Sequence, residues 1–200
     1  IILFEYPPRH QISIRRLQEE LGVSNSPIKD LLFRLAGEGM VEITSRKGTF
    51  VKHISRKELR EIEEVRKMLE TGAMEIVVPV ITDEQIQLLE ARYRDTLIPD
   101  DQFDYVDFME KDSRFHQAII QLTENERLIS MYQQLNAHVN IVRFQFAQNR
   151  KKALPWTHQD HKAILDALRE RDPEKAKRAV REHRDRARKA FLNGSMDDIR

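Results

Sequence analysis

The sequence contains no cysteine, which excludes disulfide bonds and thiolate metal sites. It also has no apolar run of membrane-spanning length and no signal peptide at its start. The 34 Lys and Arg residues nearly match the 33 Asp and Glu residues, so the net charge is only +1. These features predict a cytoplasmic protein without a membrane partner. Any binding to nucleic acid would rely on individually placed charges rather than on a strong overall field.

The composition that remains is that of a helix-rich globular protein. Hydrophobic residues make up 40% and charged residues 34% of the 200 residues. This length predicts one or two domains.

The segment from Ser24 to Met40 has the pattern of a helix presented for docking. Ser24 is a suitable N-cap, and Pro27 falls in the first turn, where a missing N–H costs little. An apolar face is formed at three- and four-residue steps by Ile28, Leu31, Leu32 and Leu35. The other side presents Asn25, Ser26 and Lys29 near the start of the helix.

The flanking residues complete a DNA-binding motif. A shorter amphipathic helix capped by Ser13 precedes a tight turn at Gly22, and two β-rich runs follow Gly39 around the basic tip Arg46-Lys47. Helix, turn, helix and hairpin predict a winged helix-turn-helix domain at residues 1–54. Such a domain places its second helix in the major groove and its wing tip on phosphates or the minor groove. The pattern alone is also compatible with a protein–protein module.

Residues 55–200 are predicted to form an all-helical domain, so that the fold is mainly α. Ser55 and Glu58 have the spacing of a capping box. Six helices are predicted near 55–78, 83–95, 103–122, 124–149, 158–171 and 173–192, with prolines close to their boundaries. The basic stretch from Lys175 to Lys189 is interpreted as a solvated face.

Four residues of this domain have metal-ligand chemistry. Asp112 and His116 are four residues apart on one predicted helix, so their side chains share a face. His161 and His183 lie beside apolar residues on the last two helices. One carboxylate and three imidazoles suit zinc or nickel. Hydrogen-bonded core histidines would give the same pattern, so the residues alone leave both interpretations open.

Residues 12–51, ISIRRLQEELGVSNSPIKDLLFRLAGEGMVEITSRKGTFV, resemble the DNA-binding domain of the GntR family of bacterial transcription regulators. The resemblance implies that Arg15 contacts DNA. Asn25 and Lys29 occupy positions where the family usually has Arg, and this departure implies a different operator sequence, since Asn suits adenine and Lys lacks the guanidinium fork. It also implies that the chain starts within the family's first helix.

Residues 55–192 resemble the FCD effector-binding domain of the FadR subfamily, with six helices as in its VanR-like branch. The segments that match are Glu64-Val65-Arg66 with Leu69-Glu70, Asp112-x-x-Phe115-His116, Asp160-His161 and Arg181-Glu182-His183. The resemblance places the family's four metal ligands on Asp112, His116, His161 and His183. It places Arg66 in the effector cavity, and Arg143 is a second candidate for contact with an anionic effector.

The expected function is therefore that of a metabolite-responsive transcription regulator. A homodimer would bind a pseudo-palindromic operator, and a small carboxylate bound near the metal would favour one arrangement of the two DNA-binding domains. The alternatives are a pure metal sensor and a metal-dependent enzyme that uses the same Asp/His site. The absence of an HExxH motif and of a spare acid or base favours a protein that is not an enzyme.

Overall fold

The structure is a computed structural model that describes the backbone of residues 6–99, 102–145 and 154–193, and side chains over 6–99, 102–142 and 156–192. Within these ranges the chain forms a small α/β unit followed by a helical domain. This agrees with the predicted fold class. The expectation that residues 1–5 belong to an earlier helix falls outside the described residues.

The N-terminal unit is a winged helix-turn-helix. Helices α1 (Ile14–Leu21) and α2 (Asn25–Gly37) pack against strands β1 (Gln11–Ile12), β2 (Val41–Thr44) and β3 (Gly48–Val51). The sheet is antiparallel in the order β1-β3-β2, with Ile43 opposite Thr49 in the hairpin. The hairpin was predicted, but the third strand was not, because a two-residue strand has no detectable alternation of its own.

The turn between α1 and α2 depends on a left-handed residue. Gly22 has φ +66° and its N–H bonds the Gln18 carbonyl, which ends α1. Ser13 caps α1 as predicted, since its hydroxyl accepts from the Arg16 N–H. Ser24 occupies the N-cap position of α2 but makes no side-chain capping bond. The predicted cap is wrong in this detail because the residue three positions on is Pro27, which has no N–H to donate.

The helical domain consists of α3 (Arg56–Val77), α4 (Asp83–Asp95), α5 (Tyr105–Gln121), α6 (Glu126–Gln145), α7 (Leu154–Arg169) and α8 (Pro173–Asn193). Ser55 and Glu58 form the predicted capping box. Helix α7 begins earlier than predicted because Pro155 fits its first turn, where no N–H is needed. The predicted extension of α6 over 146–149 lies outside the described backbone.

The main core lies between α3, α4, α5, α7 and α8. It contains large apolar side chains, which are Met74, Leu89, Phe115, Ile119, Ile164, Leu165 and Leu168. A second cluster joins the two units, since Ile54 and Leu59 pack against Ala187 and Phe191 of α8. Among the described residues, no helix combines the length and apolarity that a membrane crossing requires.

Helix α3 buries charged side chains beside the apolar ones of its inward face, and it also exposes an apolar stripe. Its inward face buries the charged side chains of Glu63, Arg66 and Glu70. Its outward face exposes an apolar stripe at helical spacing, with Val65 40%, Met68 70% and Ile76 41% exposed. The buried charges and the exposed stripe both differ from an ordinary surface helix, so each needs an explanation other than packing of the core.

Candidate metal centre

Three histidines from different helices meet in the interior of the helical domain. His116 lies on α5, His161 on α7 and His183 on α8, with exposed fractions of 1%, 0% and 2%. The Nε2 atom of His116 is 3.2 Å from Nε2 of His161 and 3.2 Å from Nε2 of His183. All three can offer ligand atoms within 4.8 Å of one another. The fold therefore brings together residues that are far apart in sequence.

These distances fit a single metal ion. A tetrahedral ion with metal–nitrogen bonds of about 2.0–2.1 Å places its nitrogen ligands about 3.3 Å apart. The Oδ1 atom of Asp112 lies 3.3 Å from Nε2 of His161 and 3.9 Å from Nε2 of His116. Asp112 therefore lies beside the cluster of three histidines, nearer to His161 than to His116.

Two further carboxylates orient the imidazoles. Glu70 Oε2 lies 3.2 Å from Nδ1 of His116, and Asp160 Oδ2 lies 3.3 Å from Nδ1 of His183. A carboxylate at Nδ1 keeps the proton on that nitrogen, so the Nε2 lone pair faces inward. Sequence reasoning did not assign this role to Glu70 or Asp160. The only signal for either was its place in a segment that resembles the family.

Burial keeps these imidazoles neutral. It lowers the pKa of His116, and it lowers the pKa of His161 and His183 well below the ordinary value. For His183 the neighbouring Arg184 charge lowers the pKa further. Neutral imidazole is the form that binds a metal, so the electrostatics and the geometry agree.

Arg184 is a further residue that sequence reasoning missed. Its side chain is buried, at 2% exposure, and Nη2 donates to Nε2 of His116 over 3.1 Å and to Nε2 of His183. The interpretation of the whole basic stretch from Lys175 to Lys189 as a solvated face was therefore wrong at this position. Val180, Ala187 and Phe191 mark the buried face of α8, and Arg184 falls on it at four- and three-residue steps.

Glu70 connects the histidines to a second buried arginine. Arg66 is fully buried, with Nη2 at 3.2 Å from Glu70 Oε1 and 2.9 Å from the Tyr132 hydroxyl, which itself donates to Glu70 over 2.9 Å. Burial raises the pKa of Glu70, but the charges of Arg184 and Arg66 and the hydrogen bond from His116 outweigh it and hold that pKa well below its ordinary value. Glu70 is therefore ionised and bound on both oxygens.

Of the two predicted effector contacts, the structure describes the side chain of Arg66. Arg66 lies next to Glu70 and Glu63, and it is linked to His116 through Glu70. The side chain of Arg143 lies outside the described residues. His158 bonds the Thr96 carbonyl at 3.0 Å, so its partner is a backbone group.

The predicted DNA-binding residues are exposed on the N-terminal unit. Asn25, Ser26 and Lys29 lie in the first turns of α2, and Arg46 and Lys47 form the hairpin tip. Arg15 is exposed on α1 with Nε 3.0 Å from Glu19. Each of these side chains is exposed to solvent.

Two family profiles match the chain. The profile described as FCD domain matches residues 61–186, and the profile described as bacterial regulatory proteins, gntR family, matches residues 1–51. The chain is 25% identical over 185 residues to the Nta operon transcriptional regulator of Aminobacter aminovorans. That match covers 91% of this chain and 84% of the relative.

Solved structures share the fold. McbR/YncC of E. coli has a TM-score of 0.85 at 19% identity and covers 95% of this chain and 90% of its own. The Zn²⁺-bound FCD domain of TM0439 has a TM-score of 0.56 at 22% identity and covers 70% of this chain and 95% of its own.

Replacing Glu70 tests the role of its negative charge. Glu70→Gln keeps the size of the side chain but leaves two buried guanidinium groups with less opposing charge, and we expect it to lower the free energy of unfolding by roughly 3 kcal/mol. Urea unfolding followed by circular dichroism measures this loss. The control is Glu75→Gln on the same helix, whose carboxylate is 61% exposed and pairs with Lys177. Equal effects of the two changes would contradict a structural role for the buried charge.

Proposed function

The chain belongs to the FCD-domain regulators of the bacterial gntR family, and we propose that it is a metal-dependent sensor of a small carboxylate. It is a transcriptional regulator and not an enzyme, as its two domains and its relatives are. In this proposal a homodimer binds operator DNA through residues 1–54, and residues 55–200 hold the metal, the effector and the dimer contact.

The approach of the Nε2 atoms of His161 and His183 to Nε2 of His116, at 3.2 Å each, is the observation that most supports a metal. Asp112, His116, His161 and His183 would hold the ion.

The buried charges of the domain also support a bound metal. Four buried carboxylates, those of Glu63, Glu70, Asp112 and Asp160, accompany two buried guanidinium groups. The partly exposed Arg186 pairs with Asp160, and a divalent cation would offset the negative charge that remains, which is costly in the interior. Zinc or nickel suits this ligand set.

A bound ion would supply a coordination position for the carboxylate of an organic acid. The TM0439 domain, which shares this fold, is a Zn²⁺-bound example. Arg66 would add positive charge behind Glu70, and Arg143 remains a predicted second contact. The effector can act on DNA binding only through unequal affinity for two arrangements of the protein.

Operator recognition is assigned to α2 and the wing. Asn25, Ser26 and Lys29 lie at the end of α2 that enters the major groove in winged helix-turn-helix proteins. Arg46 and Lys47 at the hairpin tip would contact the DNA backbone, and Arg15 would add a contact from α1. Because the net charge of the chain is only +1, its affinity for DNA would depend on these few basic side chains.

The exposed apolar stripe of α3 is assigned to the homodimer contact. Val65, Met68 and Ile76 share one face of the helix, and a Cβ added at Gly72 between them would meet nothing within 4 Å. A second copy of the same helix can approach such a face closely and bury it. Two FCD domains joined there would place two DNA-binding domains in one particle.

Zinc binding is tested by thermal unfolding. A ligand that binds the folded state alone raises the melting temperature by mass action, so Zn²⁺ should stabilise the protein but not His161→Ala. His158→Ala on the same helix is the matched control and should keep the response. Equal stabilisation of His161→Ala by Zn²⁺ would refute the site.

Small organic acids are then screened on the zinc-loaded protein, and an acid that stabilises it only when zinc is present identifies the effector class. A zinc response without any acid response would favour the pure metal sensor.

Operator binding is tested with Lys29→Ala. Loss of one cation near the base edges should weaken binding by roughly 1–3 kcal/mol. Titration of operator DNA at several salt concentrations measures the affinity and its salt dependence. Arg34→Ala, in the last turn of the same helix, is the control with the same loss of charge and should have the smaller effect. If Lys29→Ala leaves both the affinity and the salt dependence unchanged, the assignment of α2 to the groove is wrong.

The dimer contact is tested with Met68→Glu. A charge in the middle of the stripe should convert the dimer to monomers in sedimentation velocity, because a buried unpaired carboxylate opposes association. Leu88→Glu on α4 is the control, since Leu88 is exposed at 48% but lies outside the stripe. Dissociation by Leu88→Glu and not by Met68→Glu would move the interface to α4.

A further inference from the structure

We propose that Arg184 competes with the divalent metal for the lone pairs of His116 and His183, so that metal entry moves its guanidinium towards Glu63. The inference rests on the metal site proposed above. In this proposal Arg184 lowers the affinity of the histidine site for a divalent cation.

The guanidinium lies at the point where the imidazoles converge. Its Nη2 atom is 3.1 Å from Nε2 of His116 and also contacts Nε2 of His183. These are two of the three nitrogens whose spacing fits an ion. Glu70 and Asp160 occupy the opposite nitrogens of the two rings, so Nε2 is the atom of each ring that is left with a free lone pair.

A lone pair can serve one partner at a time. Arg has N–H donors and no acceptor, and its guanidinium stays charged at any pH that a folded protein tolerates. It therefore stabilises the inward lone pairs by donating to them, whereas a metal requires the same lone pairs for coordination. Coulomb repulsion between a dication and a guanidinium at this range in a buried site adds to the exclusion.

The structure also offers a second position for the displaced group. Glu63 Oε2 is buried, has no hydrogen-bond partner among the described residues and lies 3.9 Å from Nη1 of Arg184. Arg184 Nε is likewise buried without one and lies 3.5 Å from Glu70 Oε2. A small movement away from the histidines would bring both pairs of atoms within bonding distance. The guanidinium can thus leave the imidazoles without becoming an unpaired buried charge.

The first measurement is zinc affinity by competition with a chelating dye, using the full chain. We expect Arg184→Met to bind Zn²⁺ roughly tenfold more tightly or better, because the competing donor and its charge are removed. Arg186→Met is the matched control from the same helix. Its guanidinium is 46% exposed and pairs with Asp160, so we expect a change below about threefold from a solvent-screened charge. Equal or weaker zinc binding by Arg184→Met would overturn the proposal.

The second measurement distinguishes displacement from simple repulsion and uses the unaltered side chain. The Nε–Hε NMR signal of Arg184 is identified by its loss in Arg184→Lys. Saturation of the unaltered protein with Zn²⁺ should shift that signal, while the Arg186 signal should move much less. A stationary Arg184 signal in the zinc-saturated protein would refute the movement even if Arg184→Met binds zinc more tightly.

The outcomes separate this inference from the proposed function. Zinc binding by Arg184→Met but not by the unaltered chain would support the competition and remove the metal from the natural sensor. Absence of zinc binding in both proteins, with both folded by circular dichroism, would overturn the metal site and the inference together.

Discussion

The ionised carboxylate of Glu70 is the constraint around which the helical domain is organised. In a buried position it must be bound on both oxygens, and it is held by Arg66 and Tyr132 on one side and by His116 and Arg184 on the other. These partners come from α3, α6, α5 and α8. Satisfying one buried charge therefore fixes the relative placement of four helices, and through His116 it also fixes the direction of the inward lone pairs.

Helix α3 supplies Glu63, Arg66 and Glu70 to this polar interior, and it also exposes an apolar stripe on its outer side. That outer stripe is costly in water and is the basis for the proposed dimer contact.

Helix α8 connects the histidine cluster to the region near the DNA-binding unit. Arg184 lies among the histidines, and Ala187 and Phe191, one and two turns later, pack against the segment that leads to the DNA-binding unit. Arg184 and the apolar residues that contact this segment therefore lie on the same helix, α8.

Much of this arrangement could be predicted from local sequence. Capping at Ser13 and Ser55 follows from side-chain hydroxyls with matching partners, and the structure has both of these bonds. Ser24 occupies the predicted N-cap position but lacks the capping bond, since Pro27 removes the usual donor, and α7 begins before the expected residue because proline is favoured in a first turn. Both differences concern proline, whose effect depends on its position within a helix and not on its presence alone.

The sequence by itself determined the helices, the hairpin and the identity of the histidines, because periodicity, capping and residue chemistry are local properties. It also indicated a family through motifs of a few residues each. Only the tertiary structure decided that Glu70 and Asp160 orient the imidazoles and that Arg184 is buried among them. These contacts join residues from separate helices, and the face that a charged residue presents is fixed by the packing of neighbouring helices. A basic helix such as α8 has many arginines of similar local context, and burial distinguishes one of them.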